Sequence, residues 1–264
     1  MAFVGRVHHA LAARLRALLG SGAAARQSLV ALTLNSATSL IAGAFLGSIT
    51  GTLEALPGLL VMVPAAIGLR GNIFSALGNR VSTAIHTGTF ELSADLDGVL
   101  GQNTAASLCL TLSMSTALAV LAKVVAVALG IPGTVSLLTL CMISVLGGLL
   151  ASLAVLVATV LLAAGSVRYG WDLDNLTAPL VSTLGDVLTL PALWLASLLV
   201  TVPLLVPVLG SALALVSVGA LALAWRSRLA ILRRVVREST PILIAAAGLS
   251  TLAGVTIERR LQTF

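Results

Sequence analysis

The feature that most constrains this sequence is the spacing of its charges. No Asp, Glu, Lys or Arg occurs between Arg26 and Glu54, between Asp97 and Lys123, or between Lys123 and Arg168. A helix crossing a bilayer needs about 20 consecutive apolar residues, so each interval holds at least one membrane span. Soluble domains carry roughly a quarter charged residues. This chain of 264 residues carries 9%, with 58% hydrophobic, which excludes a water-soluble globule. The expected fold class is all-α, a polytopic transmembrane helix bundle.

The charge-free intervals and their polar borders predict seven spans, at about 28–48, 56–79, 102–129, 135–164, 177–200, 204–225 and 239–257. Gly130-Ile-Pro132-Gly133 makes the turn between the third and fourth. The second span contains Pro57, Pro64, Gly68 and Gly71, and its far half carries Arg70, Asn72 and Arg80. Such a composition suits a broken or kinked helix inside a bundle, where partners satisfy the freed backbone groups. Lys123 stands close enough to the end of the third span for its stem to reach the interface. The run Arg226–Arg237 reads as a basic connector.

Sidedness follows from arginine. With the N-terminus inside, the cytoplasmic segments hold Arg6, Arg14, Arg16, Arg26, Arg80, Arg168, Arg226, Arg228, Arg233, Arg234 and Arg237, and the outer segments only Arg259 and Arg260. The positive-inside rule then places the N-terminus in the cytoplasm, in what is expected to be a prokaryotic plasma membrane. The excess of Lys and Arg over Asp and Glu, fifteen to nine, is spent on orientation and on lipid. No stretch is long enough to form a basic soluble domain, so nucleic acid is not an expected partner. Residues 1–27 are expected to form a basic amphipathic segment on anionic lipid and to remain in the mature protein. Cys109 and Cys141 lie in apolar runs and read as small hydrophobes. His8, His9 and His86 have no zinc-ligand spacing.

One internal echo bears on domain organisation. Arg26-Gln-Ser28 opens the first span and Arg237-Glu-Ser239 the seventh; at the same offset of 211, Ser39, Ala42 and Gly43 return as Ser250, Ala253 and Gly254. In a chain this rich in Ala and Leu the echo reads either as chance or as a repeat, in which the seventh span is the first helix of a second copy. The expected organisation is a five-helix unit at 28–202, a linker helix and basic cytoplasmic connector at 203–238, and a helix at 239–264 that resembles the start of a second repeat.

Asp186 is the first candidate for chemistry. Nine residues after Thr177, it lies roughly 13 Å deep at 1.5 Å per residue, near the middle of the bilayer. An acid at that depth faces a water-filled path or a partner, because insertion costs about 2.5–3.5 kcal/mol. Ser182 and Thr183 stand a turn before it and Thr189 three residues after, forming a polar stripe. A protonated Asp bonded to a hydroxyl is the alternative. The second candidate is the stretch from Pro64 to Gly88. Gly68, Gly71, Ser75 and Gly78 allow close helix approach, and Asn72 and Asn79 offer oxygens suited to hard cations; an ordinary packing face with amide links reads equally well. Glu91, Asp95 and Asp97, with Asp172 and Asp174, put acids on the cytoplasmic side, either as a solvated loop or to concentrate cations at a pore mouth.

Two of these stretches resemble a known family. Pro64 followed by Gly68-x-x-Gly71-Asn72 and then Asn79-Arg80-x-Ser82-Thr83 is similar to the second-helix signature of the magnesium transporter MgtE and solute carrier family 41. Asp172-Leu-Asp174-Asn175 through Pro179-Leu180 to Asp186 is similar to the signature entering that family's fifth helix. The resemblance covers about 28–202. It implies a dimer of five-helix units, or a fused pair, enclosing one cation pore. It implies that Asp186 holds a largely hydrated Mg²⁺, that the Ser182 backbone carbonyl contributes, that Asn72 is the helix-2 ligand, and that Asp172 and Asp174 belong to the metal path.

The expected function is therefore a divalent-cation transporter or channel, with Mg²⁺ as the carried ion and a homodimer, or a heterodimer with a related half, as the assembly. A non-conducting or half-pore subunit that needs a related partner is the alternative. An intramembrane enzyme using Asp186 and His86 ranks lowest, since the two lie at different depths and no nucleophile motif accompanies them.

Overall fold

The computed structural model describes residues 22–93, 95–169 and 173–261. Among these the chain forms eight α-helices: α1 (Gly22–Ser48), α2 (Thr50–Ala55), α3 (Leu59–His86), α4 (Val99–Ala128), α5 (Leu137–Tyr169), α6 (Leu173–Leu198), α7 (Leu205–Arg226) and α8 (Ala230–Leu261). Six of them, α3 to α8, are long and apolar enough to cross a membrane. α1, with 27 residues, covers the expected first span. The N-terminal segment expected on lipid lies outside the described residues, apart from the start of α1.

α3 is the central helix. It packs against α4, α5, α6 and α8, while α7 lies outside against α4 and α5, and α1 packs on α6. The core follows from its sequence: Met62, Ala66, Leu69, Ile73 and Leu77 are buried, and they recur at the three- and four-residue steps that keep one helical face together. The α1–α6 contact is made by an edge-on pair of Phe45 and Trp194, centroids 6.3 Å apart, and by Thr183, whose hydroxyl donates to Asn35 Oδ1 at 3.2 Å.

Two expectations are corrected. The second span is neither broken nor finished at residue 79. α3 runs without interruption through Pro64 to His86, and in its far half Arg80 Nε donates to Asn103 Oδ1 at 2.6 Å. The helix stops at Gly88, φ +70°, where Thr89 N donates to Ala84 O and Gly88 N to Ile85 O. That is a glycine-dependent helix end, and Gly130, φ +71°, closes α4 in the same way. The second correction concerns the basic run. It is not an open connector up to residue 238; α8 begins at Ala230. Gln102 on α4 supplies the cap, its Oε1 accepting from Ile231 N at 3.1 Å and from Leu232 N at 3.4 Å. Val235 and Val236 are buried while Arg233, Arg234 and Arg237 face out, so the run is amphipathic.

At the opposite end, backbone and side chains tie the helices together. Lys123 Nζ donates to Thr134 O and Val135 O at 3.0 and 2.9 Å, so the lysine binds the α4–α5 turn. Arg259 Nη2 donates to Leu129 O at 2.6 Å. Gly58 N donates to Glu258 Oε1 at 3.0 Å. Glu258 is 2% exposed and places a carboxylate on the first turn of α3, where unpaired N–H groups and the helix dipole favour negative charge. Replacing Glu258 with alanine is expected to cost about 1–3 kcal/mol, read as a lower unfolding midpoint in detergent; an unchanged midpoint would show that the cap contributes nothing.

Candidate cation site

Asp186 lies on α6, half-buried, at a cleft of about 300 Å³ where α1, α3, α6 and α8 converge. α3 contributes Val63, Pro64 and Ile67, α1 contributes Ser39, Ala42 and Gly43, and α8 contributes Ile257. The lining is apolar except for the Asp186 carboxylate and its polar neighbour, the Ser39 hydroxyl. No cation pairs with Asp186 among the described residues. The cleft continues past Gly43, Leu46 and Ile257 towards Thr50 and Arg260 at the far end of the bundle. A carboxylate that keeps partial exposure in an apolar cleft can hold a cation through its water shell, since a hydrated Mg²⁺ needs only one or two carboxylates plus waters.

The position of Asp186 is set by a glycine contact. A Cβ on Gly185 would come within 3.5 Å of Gly71 N and 3.6 Å of Arg70 Cβ, and one on Gly71 would come within 3.5 Å of Ser182 Oγ. α3 and α6 therefore meet backbone to backbone, as small residues allow. Ser182 faces α3 at this contact, and Asp186 follows it on α6. Asn72 follows Gly71 on α3 and is exposed; it shares no hydrogen bond with Asp186 among the described residues. The polar stripe of α6 divides: Thr183 turns to Asn35 of α1, and Thr189 donates to Gly185 O within its own helix. Asp172 lies outside the described residues, and so does the side chain of Asp174.

Arg70 is the second polar group of the interior. It is 1% exposed and leaves the α6 contact in the other direction. Nη1 donates to Ala66 O at 2.7 Å, and Nη2 to Ser115 Oγ at 3.0 Å on α4 and Ser144 O at 3.4 Å on α5. Gly148 makes room for the guanidinium, since a Cβ there would collide with Nη2. The charge is thus turned away from Asp186 and held by neutral oxygens, with no carboxylate partner among the described residues.

Sequence reasoning passed over Ser39 as a neighbour of the acid, and over Glu258 altogether. Ser39 carries no local mark in a helix rich in small polar residues. Glu258 did have one, an acid at the end of an apolar helix that begins on the opposite side. Among the described residues, no cluster of three or more His, Cys, Asp or Glu side chains could hold a metal ion.

Residues 63–196 match the MgtE family, whose description is divalent cation transporter. The matched stretch runs from residue 63 within α3 to residue 196 within α6, and so includes both the Gly71–Gly185 contact and Asp186. Solute carrier family 41 member 3 of Rattus norvegicus is 31% identical over 147 residues, 53% of this chain and 30% of that protein. Solute carrier family 41 member 2 of Gallus gallus is 34% identical over 149 residues, covering 54% and 25%, and the Homo sapiens member 2 is 33% identical over 144 residues, covering 52% and 24%. The chain spans less than a third of the length of these curated relatives. No solved structure matches it.

Proposed function

Because this chain belongs to the MgtE family of divalent cation transporters, we propose that it carries Mg²⁺ across the membrane, largely hydrated, past Asp186 where two five-helix units meet. The observation that carries this reading is the half-buried carboxylate of Asp186, which has no cation partner among the described residues, at a cleft in the interior of the bundle that is apolar apart from Ser39. Mg²⁺ sheds water reluctantly, so a site of this kind works through the hydration shell: Asp186 and Ser39 accept hydrogen bonds from coordinated water, and Asn72 and Ser182 extend the polar path along the α3–α6 contact. One Asp186 from each unit supplies two negative charges around one ion. Without the ion two such carboxylates repel and one takes up a proton; with it both stay ionised. Asp172 and Asp174, which lie ahead of Asp186 in sequence, are proposed to draw cations towards the path.

Arginine supports the orientation. Arg80, Arg168, Arg226, Arg228, Arg233, Arg234 and Arg237 gather at one end of the bundle, joined there by the Arg80–Asn103 and Gln102–Ile231 bonds, while Arg259 and Arg260 occupy the other. We assign the arginine-rich end to the cytoplasm.

The open cleft also favours a second reading, in which this chain supplies half of a pore and conducts only with a related unit. Mg²⁺ flux into proteoliposomes holding the purified chain alone, with and without an imposed Na⁺ gradient, tests both. Flux from the chain alone supports the complete transporter. Absence of flux that is restored by a second unit supports the half-pore. Absence of flux and of Mg²⁺ binding in either form overturns the cation path.

A further inference from the structure

α1 and α8 share six identical residues at an offset of 211 and lie in unlike surroundings. Besides Ser28, Ser39, Ala42 and Gly43, Leu32 also recurs 211 residues later, as Leu243. On α8 the residues Leu243, Ala247, Thr251, Gly254, Val255 and Glu258 are buried, because that face packs on α3 and α4. Their counterparts on α1, in order, are Leu32, Ser36, Leu40, Gly43, Ala44 and Gly47, and all six are exposed. The contrast is sharpest at the shared glycine. A Cβ on Gly254 would collide with the backbone of Val61 in the first turn of α3, whereas nothing lies within 4 Å of one on Gly43 or Gly47. One pair does stand alike: Leu46 and Ile257, also 211 apart, both line the cleft at Asp186.

Helices related by a two-fold axis have neighbours related by the same axis. α8 lies on α3 of the unit that α1 begins. The corresponding neighbour of α1 is the α3-like helix of the unit that α8 begins. We propose that the exposed face of α1 receives the N-terminal half of that α3-like helix, so that the two units exchange their first helices and the axis passes through the cleft between Leu46 and Ile257. This rests on the half-pore reading given above, in which a related unit completes the path, and adds which helix meets which. It also sets the chemistry of the partner: a helix whose backbone can approach Gly43 as closely as Val61 approaches Gly254, in a unit that has no first helix of its own on that face. A second copy of this chain does not qualify, because its own α8 already covers its Val61 and bonds Gly58 N through Glu258.

The test compares the chain as it stands with a tandem form in which its own residues 51–202 follow Leu261, so that α8 leads a second unit in the register of α1. A single cysteine replaces Leu40, 76% exposed, in a background with Cys109 and Cys141 changed to alanine, and labelling by a lipid-soluble maleimide is followed in nanodiscs. Thr251→Cys, the buried counterpart, is the unlabelled control. The expected result is full labelling of Leu40→Cys in the unextended chain, with one copy or two per disc, and loss of labelling in the tandem form. Undiminished labelling of a monodisperse tandem overturns the proposal, and so does protection of Leu40→Cys by a second unextended copy. The two-copy arm decides even where the tandem does not purify. Labelling does not depend on ion flux, so failure here leaves the role of Asp186 standing, and failure of Asp186 leaves this interface standing.

Discussion

Asp186→Asn is expected to reduce divalent flux to the background of empty liposomes. The substitution keeps the size and shape of the side chain, removes its charge and exchanges one acceptor oxygen for an amide donor, so the packing at the Gly71–Gly185 contact is not disturbed. The charge matters because the cleft offers no other: its lining is apolar apart from Ser39, and no second acid stands beside Asp186 among the described residues. Loss of one partner from a buried charge pair costs about 2–5 kcal/mol. At 1.4 kcal/mol per decade that is roughly 30-fold or more in ion occupancy. The Asn variant is expected to unfold no earlier than the parent, since a neutral amide enters an apolar environment more cheaply than a carboxylate. Lost flux with an unchanged unfolding midpoint therefore identifies an ion site. Unchanged flux would remove Asp186 from the path, and with it the mechanism proposed above.

The largest expected effect on stability is at Gly254. A Cβ there would meet the carbonyl oxygen, carbonyl carbon and Cα of Val61, all backbone atoms, which cannot swing aside as a side-chain tip can. Gly254→Val must therefore push α8 off the first turn of α3, stretching the Glu258 cap only four residues away. Overpacking costs about 1–3 kcal/mol, and loss of the cap adds about 1 kcal/mol, so a fall of about 2–4 kcal/mol is expected by thermal or denaturant unfolding in detergent. The matched variant Gly43→Val has open space, and valine is better than glycine in a helix by only a few tenths of a kcal/mol, so the isolated chain is expected to be no less stable. Equal losses at the two glycines would contradict the packing described here.

Much of this fold is written in local signals. Long charge-free intervals mark the spans, and Gly130-Ile-Pro132 marks a turn because φ at Gly130 is positive and proline ends a helix. What eluded the sequence depends on contacts between distant residues. α8 begins at Ala230 because Gln102, more than a hundred residues away, caps it, and in the far half of α3 Asn103 receives Arg80; neither partner is visible from the run of residues it bonds. The site divides in the same way. Asp186 stands out as an acid in an apolar helix, and Arg70 as a base in one. The position of Ser39 beside Asp186, and the turn of Arg70 towards Ser115 and Ser144, follow from the packing of α1, α4 and α5 around α3 and α6, which no local pattern encodes.

The buried guanidinium of Arg70 also bears on how the chain is built into the membrane. An arginine at the centre of an isolated span opposes insertion by about 2.5–3.5 kcal/mol, and within α3 itself Arg70 has only Ala66 O to offset that cost. Its other acceptors arrive with Ser115 and Ser144, which are synthesised later. Nascent α3 is therefore best retained at the insertion machinery until α4 and α5 emerge, and the three helices enter the lipid as one group.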